Sequence, residues 1–374
     1  MNTFSRSIAA SVLGLASIGT ALAQATFRVT DLGTLSGYAS SSAYGVSDNG
    51  SQVAGWLTAA NGSTRGFRWS ATTGLVLLGQ RSGETSSRAF AINDLGIAVG
   101  ETSFGALREA TLWAGAASSG LGTLSNSGSS VAFAVNDSGQ VAGWSDSTAG
   151  TRAFLWTSSG AMTSLGALPG GTQTRAYGIN ASGQAVGWGT TPGGDRGFVS
   201  GPGGLTAIER LSASGGRTRA FGNANANGWV TGDAQDPSLG DVAFVYSPGT
   251  GTMSAGKPSD AVHSFGADVN SNGWAVGWAD GLPLGEQAFL WTPDTGLVLL
   301  DNLLVSSGWR IQRARAITDS GVIVANAVNS LGELRAVVLT PVPEPATSAL
   351  FCLGLAAFGL HRRMRRVTLR PAAT

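Results

Sequence analysis

Residues 132–168 read AFAVNDSGQVAGWSDSTAGTRAFLWTSSGAMTSLGAL and contain four short strand patterns with no helical pattern. AFAVN and QVAGW alternate small and apolar residues on either side of the NDSG turn at 136–139, which is typical of a β-hairpin. RAFLWT and MTSLGAL follow as a third and a fourth strand. Four short strands in one unit are the content of a propeller blade.

The unit recurs along the chain. Its third strand returns at 65–70, 108–113, 152–157, 196–200, 242–247, 287–292 and 335–340. Its turn glycine returns at spacings of 43 to 48 residues, at Gly50, Gly96, Gly139, Gly183, Gly228, Gly273 and Gly321. A constant period of this length is typical of propellers and solenoids.

The two ends of the chain distinguish between those architectures. The seventh unit has no fourth strand, because Pro341 follows RAVVLT (335–340) directly. A fourth-strand pattern stands instead at 26–37, TFRVTDLGTLSG, and its LGTLS is repeated at 121–125. A solenoid caps its ends separately, whereas a closed ring removes an exposed edge by exchanging a strand between its termini. The sequence predicts an all-β, seven-bladed β-propeller over residues 24–341, closed by residues 27–35 pairing beside 335–340.

Composition excludes several classes of function. The chain has 374 residues, 43% hydrophobic residues and 56 Gly, which suits a large core of short strands and tight turns. Residues 24–342 carry 17 Lys and Arg against 21 Asp and Glu, and this acidic balance argues against nucleic acid as a partner. The single Cys352 lies outside the repeats, and no catalytic triad, phosphate loop or dinucleotide motif is present. We therefore expect no enzyme and no cofactor.

The N-terminus has the pattern of a signal peptide. Arg6 precedes an apolar stretch at 8–18, and Ala21-Leu22-Ala23 provides the small residues of a signal-peptidase site. The pattern predicts a signal peptide over 1–23 that signal peptidase removes after Ala23. The alternative is an uncleaved membrane anchor.

The C-terminal segment, 342–374, combines three features in order. Pro343-Glu344-Pro345 is followed by an apolar run at 346–360 and then by the basic cluster Arg362, Arg363, Arg365 and Arg366. The run is shorter than the ~20 residues that span a bilayer comfortably. The order resembles the PEP-CTERM sorting tail of Gram-negative bacteria. That resemblance implies a transmembrane helix that anchors transiently in the inner membrane, recognition by an exosortase, and delivery to the cell surface or extracellular matrix. The alternative is a plain membrane anchor.

The repeats also resemble a known family. DLGTLSG, AYGINASGQAVGW and RAFLWT are similar to the bacterial extracellular HAF repeat, whose name-giving His is replaced here by Arg152 and Gln287. The resemblance implies export and a propeller-like fold, and it implies no established activity. The loss of the His removes the argument for a repeated histidine site.

Candidate ligand residues lie at the end of the second strand. Four units place a tryptophan there and three do not; the position is occupied by Trp56, Glu101, Trp144, Trp188, Asp233, Trp278 and Asn326. Exposed aromatic side chains stack on sugar rings, whereas an aromatic column at blade period is typical of packing between blades. The three departures are either ligand positions or drift at a partly exposed site.

Two further patterns have competing interpretations. The turns of the NDSG type offer oxygen atoms to calcium, but each supplies only one or two ligands, which favours a role in the turn alone. Carboxylates gather in units five and six and include Asp233, Asp236, Asp241, Asp260, Asp268, Asp280, Glu286, Asp294 and Asp301. Paired carboxylates perform glycoside chemistry at the right separation, and a solvated acidic face is the alternative.

Three hypotheses for function follow. The first is a non-catalytic surface or matrix protein whose propeller binds glycan, exopolysaccharide or another protein, in association with a biofilm. The second is an extracellular polysaccharide-acting hydrolase or lyase that uses the carboxylates of units five and six. The third is a structural matrix component. The export signals and the missing catalytic motifs favour the first.

Overall fold

The computed structural model describes residues 25–342, except 160, 213–215, 223, 224, 226 and 307. In this part of the chain, Thr26–Val342 forms one compact unit of seven four-stranded antiparallel sheets. The predicted seven-bladed β-propeller is confirmed. The predicted signal peptide, with Ala21 and Ala23, and the predicted sorting segment from Pro343 to Arg366 lie outside the described residues.

Each blade is a meander that runs from the channel outward. Blades 1 to 3 consist of β2 (Tyr38–Val46), β3 (Gln52–Ala59), β4 (Thr64–Ser70) and β5 (Gly74–Leu77); β6 (Ser86–Ile92), β7 (Ile97–Phe104), β8 (Leu107–Ala114) and β9 (Ala117–Gly120); and β10 (Ser130–Val135), β11 (Val141–Ser145), β12 (Arg152–Trp156) and β13 (Thr163–Ser164).

Blades 4 to 7 follow the same plan. They consist of β14 (Thr174–Ile179), β15 (Ala185–Gly189), β16 (Arg196–Gly201) and β17 (Gly204–Ala207); β18 (Thr218–Ala220), β19 (Val230–Asp236), β20 (Gly240–Ser247) and β21 (Gly251–Gly256); β22 (His263–Val269), β23 (Ala275–Asp280), β24 (Gln287–Thr292) and β25 (Gly296–Leu299); and β26 (Trp309–Ile317), β27 (Ile323–Asn329), β28 (Leu334–Val342) and β1 (Thr26–Asp31). A short 3-10 helix, Leu300–Leu303, follows β25.

The meander gives the ring two distinct faces. The turns between first and second strands lie on one face, which we call the turn face. The connections between second and third strands, and those from one blade to the next, lie on the opposite face, which we call the loop face. This separation follows from the antiparallel order of consecutive strands.

A repeated bulge directs side chains into the channel. In blade 3 the register of β10 with β11 shifts between Ala132 and Ala134, so Phe133 leaves the regular pleat. Gly143 on the partner strand accommodates the bulge, because a Cβ there would lie 2.0 Å from the carbonyl oxygen of Val131. The corresponding glycines, with a Cβ position 1.9 to 2.0 Å from a first-strand carbonyl oxygen, are Gly55, Gly100, Gly187, Gly232 and Gly277. The glycine before six of the seven candidate positions is therefore a steric requirement, and in blade 7 Ala325 stands before Asn326 instead.

The core lies between blades and is built by the third strands. The third strands of five blades place a fully buried phenylalanine at the same position, as Phe67, Phe154, Phe198, Phe244 and Phe289. Full burial of one such side chain stabilises the fold by about 1.5–3 kcal/mol. The same alternation that predicted the third strand thus supplies the packing between neighbouring blades.

The closing strand pairs as predicted, with a corrected boundary. β1 pairs antiparallel with β28, from Thr26 opposite Val342 to Asp31 opposite Val337. The pairing ends where Leu32 donates its backbone N–H to the carbonyl oxygen of Ala336 at 3.0 Å, so the predicted range of 27–35 was too long. The side chain of Leu32 is only 6% exposed, and the chain turns inward at this residue.

The repeated LGTLS motif has the same position in blade 2. The motif follows β9, and Leu121 donates its backbone N–H to the carbonyl oxygen of Ala110 at 2.8 Å. The prediction that LGTLS is itself a fourth strand was wrong. The motif ends the outer strand and begins the connection to the next blade.

Closure predicts a large effect of the buried side chain of β1. Phe27 is fully buried, and Phe27→Ala is expected to lower the free energy of unfolding by about 3–5 kcal/mol in denaturant titration, because it leaves a cavity beside the closing strand. Arg28→Ala is the matched control on the same strand, where the exposed side chain predicts a change within about 0.5 kcal/mol. Equal stability of the two variants would contradict closure through β1.

Candidate functional site

The turns on the turn face form a hydrogen-bonded ring. Asn93 Nδ2 donates to the carbonyl oxygen of Asn136, and Asn136 Nδ2 donates to that of Asn180, each at 3.0 Å. Asn270 Nδ2 makes the same bond to Thr318, also at 3.0 Å. These amides therefore join neighbouring blades, a role that the sequence analysis missed.

The side-chain oxygens of the same residues are occupied within their own turns. Asn136 Oδ1 accepts the backbone N–H of Gln140 at 2.9 Å, and Asn93 Oδ1 accepts that of Ile97 at 2.9 Å. Within the described ranges, no three or more His, Cys, Asp or Glu side chains are grouped so as to hold a metal ion. The turns therefore connect neighbouring blades. Their described side chains do not form a group of ligands that supports the calcium hypothesis.

The ring predicts a specific cost of removing one amide. Asn136 is buried, and Asn136→Ala removes its bonds to Asn180 and Gln140, so the backbone N–H of Gln140 loses its side-chain acceptor. We expect a loss of about 1–3 kcal/mol in the free energy of unfolding. Asn61→Ala is the control, because Asn61 is exposed and bonds only Ser63 in its own loop. If Asn136→Ala lowers the free energy of unfolding less than Asn61→Ala does, Asn136 does not join the two blades as described.

The same mouth of the channel is acidic. Asp319, Asp48, Asp94 and Asp137 occupy the second turn position on four successive blades, and Asp48, Asp137 and Asp319 line a cavity of 210 Å³. The pKa of the Asp48 carboxyl is raised above its ordinary value, first by lost hydration and then by the carboxylates of Asp137, Asp94 and Asp319. Negatively charged carboxylates are therefore concentrated at the end of the channel on the turn face.

An aromatic collar lines the channel between the two faces. The bulged first strands contribute five rings whose successive centroids lie 4.7 to 5.2 Å apart, Tyr44, Phe90, Phe133, Tyr177 and Phe221. Blades 6 and 7 place Ala267 and Arg315 beside the same channel cavity. The Arg315 guanidinium lies 5.2 Å from the Tyr44 ring, and burial lowers the pKa of Arg315. The collar is therefore mainly aromatic, and its polar groups are the hydroxyls of Tyr44 and Tyr177 and the guanidinium of Arg315.

The predicted tryptophans come together around the opposite mouth, on the loop face. Each is partly exposed and has an arginine guanidinium over its ring. The distances from guanidinium to ring centroid are 5.6 Å for Arg88 and Trp56, 4.9 Å for Arg175 and Trp144, 5.9 Å for Arg175 and Trp188, and 5.2 Å for Arg313 and Trp278. Arg219 also lies 6.0 Å from Trp188, and Arg315 of the collar lies 4.8 Å from Trp278. We call the four tryptophans together with Arg88, Arg175, Arg219 and Arg313 the arginine–tryptophan mouth.

The sequence carried a signal for these arginines that was not used. Each stands two residues before a first-strand channel position, in the segments RAF (88–90), RAY (175–177), RAF (219–221) and RAR (313–315). In each blade the arginine is directly opposite the tryptophan or departure position of the second strand, as Arg175 is opposite Trp188. These arginines recur at the spacing of the blades, and this recurrence is visible in the sequence. The contact between an arginine and a tryptophan of another blade is visible only in the structure.

The departures Glu101 and Asp233 are buried members of the same layer. Glu101, 5% exposed, forms ion pairs with Arg88 at 3.7 Å and Arg108 at 3.5 Å. Asp233, fully buried, lies 3.1 Å from both Arg217 and Arg219. A buried carboxylate requires such compensation, and removing one partner is costly. Both acids are placed to orient arginines at the mouth.

The third departure joins two blades. Asn326 is 7% exposed, and its Oδ1 accepts the backbone N–H of Ala43 in blade 1 at 2.8 Å. This bond crosses the junction between the last and the first blade. Asn326 occupies the position that holds a tryptophan in four other blades, so the row of tryptophans is interrupted at the closing blade.

The carboxylates of units five and six have separate partners. Asp280 bonds His263 Nδ1 at 2.9 Å, Glu286 pairs with Arg313, and Asp301 accepts the backbone N–H of Ile311 at 2.8 Å. Asp236 accepts hydrogen bonds from Ser238 in its own turn, which lower its pKa. Asp241 and Asp233 share a partner, because Arg217 bonds both, at 2.5 and 3.1 Å.

Comparison with known proteins identifies the C-terminal segment. Residues 341–366 match the PEP-CTERM protein-sorting motif. The motif indicates an exported, cell-surface-associated protein, as predicted. The described residues contain no helix long and apolar enough to cross a membrane, and the apolar run at 346–360 lies outside them. The resemblance to HAF repeats is not confirmed and stays a prediction.

Several solved structures resemble the propeller at low sequence identity. No curated protein matches the chain. A puromycin hydrolase is 13% identical over 79% of this chain and 53% of its own, with a TM-score of 0.49. TolB from Acinetobacter baumannii is 9% identical over 75% and 76%, with a TM-score of 0.43. A lectin from Burkholderia pseudomallei is 12% identical over 83% and 97%, with a TM-score of 0.42. These scores lie below 0.5 and carry no argument about function.

Proposed function

We propose that this exported protein is a non-catalytic glycan-binding module of the cell surface or extracellular matrix, and that it binds exopolysaccharide at the arginine–tryptophan mouth. The observation that carries the proposal is the layer of four partly exposed tryptophans with guanidinium groups around one end of the channel. Indole faces pack against the C–H faces of sugar rings, and guanidinium edges donate hydrogen bonds to their oxygens. An association with biofilm polysaccharide follows from this location.

The contrast between the two faces supports the choice of mouth. On the turn face the amides bond neighbouring turns and the described acids are crowded together. The amides of that surface are already hydrogen-bonded within the protein, and its carboxylates repel anionic polymers. On the loop face the aromatic rings remain partly open to solvent. The loop face is therefore the binding face in this proposal.

The proposal predicts a tryptophan-dependent affinity for polysaccharide. Trp144→Ala is expected to weaken binding by roughly ten- to hundredfold in calorimetric titration with bacterial exopolysaccharides, since truncating a central tryptophan of a binding surface costs about 2 kcal/mol. Trp274→Ala on the turn face is the control and should leave the affinity unchanged. If Trp144→Ala binds polysaccharide as tightly as wild type, the ligand binds elsewhere on the protein. If the protein binds neither neutral nor acidic polymers, a structural or protein-binding role is favoured.

A polysaccharide-acting enzyme is the second proposal. The observation that favours it is Arg217, which brings the carboxylates of Asp233 and Asp241 to one guanidinium on blade 5. Because the bridging guanidinium favours both anions, this mechanism requires the substrate to draw Arg217 away, so that one of the two carboxyl groups can carry the proton that a glycosidase needs. Release of reducing ends in the same titrations, lost in Asp241→Asn, would establish this function in place of simple binding.

We also infer two processing steps for export. Signal peptidase cuts after Ala23, and an exosortase recognises Pro343-Glu344-Pro345 and removes the tail, so the inner membrane holds the chain only transiently. The intact mass of the exported protein should lack residues 1–23 and the apolar run at 346–360. Glu344→Gln should retain the tail while keeping the N-terminal cut. A mature mass that includes both segments would contradict this route.

A further inference from the structure

The geometry points to Arg175 as a carboxylate-binding site at the loop face, and hence to uronate-containing, acidic polysaccharide as the ligand. The inference rests on the proposed glycan binding and adds its chemical class. It depends on a difference between Arg175 and the other arginines of the mouth.

Three of the four mouth arginines already have a carboxylate partner. Arg88 pairs with Glu101 at 3.7 Å, Arg219 pairs with Asp233 at 3.1 Å, and Arg313 pairs with Glu286. Their charge is compensated within the protein. An anionic ligand would therefore have to compete with an internal acid at each of these three positions.

Arg175 has no such partner in the described part of the chain. The second-strand residue opposite it is Trp188, where Arg88 and Arg219 have Glu101 and Asp233. No described side chain or carbonyl oxygen accepts a hydrogen bond from its guanidinium, and its Nε is buried without one. Five other described arginines also have a buried Nε without a partner, so the feature that distinguishes Arg175 within the mouth is the lack of an internal carboxylate.

Two indole rings hold this guanidinium in place. Its carbon lies 4.9 Å from the Trp144 centroid on blade 3 and 5.9 Å from the Trp188 centroid on blade 4. Cation–π contacts of this kind orient the group without using its N–H donors. The terminal nitrogens remain free to bind a carboxylate through two parallel hydrogen bonds, the arrangement that guanidinium favours.

The neighbouring ring supplies the sugar contact. Trp188 is covered by two guanidinium groups, since Arg219 lies 6.0 Å from it, whereas Trp144 has only the contact with Arg175. A uronate unit carries its carboxylate directly on the ring carbon, so one unit reaches Arg175 while its ring packs against Trp144. A neutral hexose fills the same space without using the cation.

The test compares one polymer in charged and neutral form. The purified protein is titrated calorimetrically with oligogalacturonate and with its fully methyl-esterified form, in wild type, Arg175→Gln and Arg28→Gln. We expect wild type to bind the acid form at least tenfold more tightly than the ester. Arg175→Gln should lose roughly ten- to hundredfold in affinity for the acid form and little for the ester, because a hydrogen bond between charged groups is removed. Arg28→Gln removes the same charge from exposed β1 and should change neither.

The outcomes separate this inference from the proposed function. Equal binding of acid and ester by wild type would overturn the carboxylate site and leave glycan binding standing. A preference for the acid form that persists in Arg175→Gln would place the anion site elsewhere and overturn the inference. Absence of binding to both forms would overturn it together with glycan binding at this mouth. If Arg175→Gln melts at a lower temperature than wild type, Arg175→Lys replaces it, and retention of full affinity there would contradict bidentate recognition.

Discussion

The antiparallel pairing of β1 with β28 is the contact on which the ring depends. Every other blade is a local meander whose strands follow one another in sequence, so each could form from nearby residues. The closing blade alone joins the two ends of the repeat body, and the bond from Asn326 to Ala43 then ties it to the first blade. Without this contact, two sheet edges would be open, and such edges pair readily with other chains.

The bulge in the first strands determines what the channel contains. Because a glycine faces the bulge on the second strand in blades 1 to 6, the first strand can approach closely there and turn one side chain toward the axis. The collar and the arginines two residues before it both follow from that displacement. The channel therefore has chemically different ends, with carboxylates such as Asp48 on the turn face and guanidinium groups on the loop face.

Much of this fold could be predicted from the sequence, because the turn glycines and third strands repeat at a nearly constant spacing. The exchange of a strand between the termini was also legible, although β1 ends at Asp31 because Leu32 turns inward. The candidate site was only half predicted. The tryptophan column was visible, but the partners of Glu101 and Asp233 were not. Those partners, and the arginine over each tryptophan, are set by distances across strands and between blades that residue spacing does not determine.

Closure has a consequence for the order of events during secretion. Strands Thr26–Asp31 and Leu334–Val342 are the first and last of the propeller to be synthesised, with roughly 300 residues between them. If the chain crosses the membrane from its N-terminus, the first strand waits without its partner until the whole body has passed. The slow, non-local step of folding then coincides with the end of translocation. Factors beyond the membrane that shield a single unpaired strand would act on β1 during that interval.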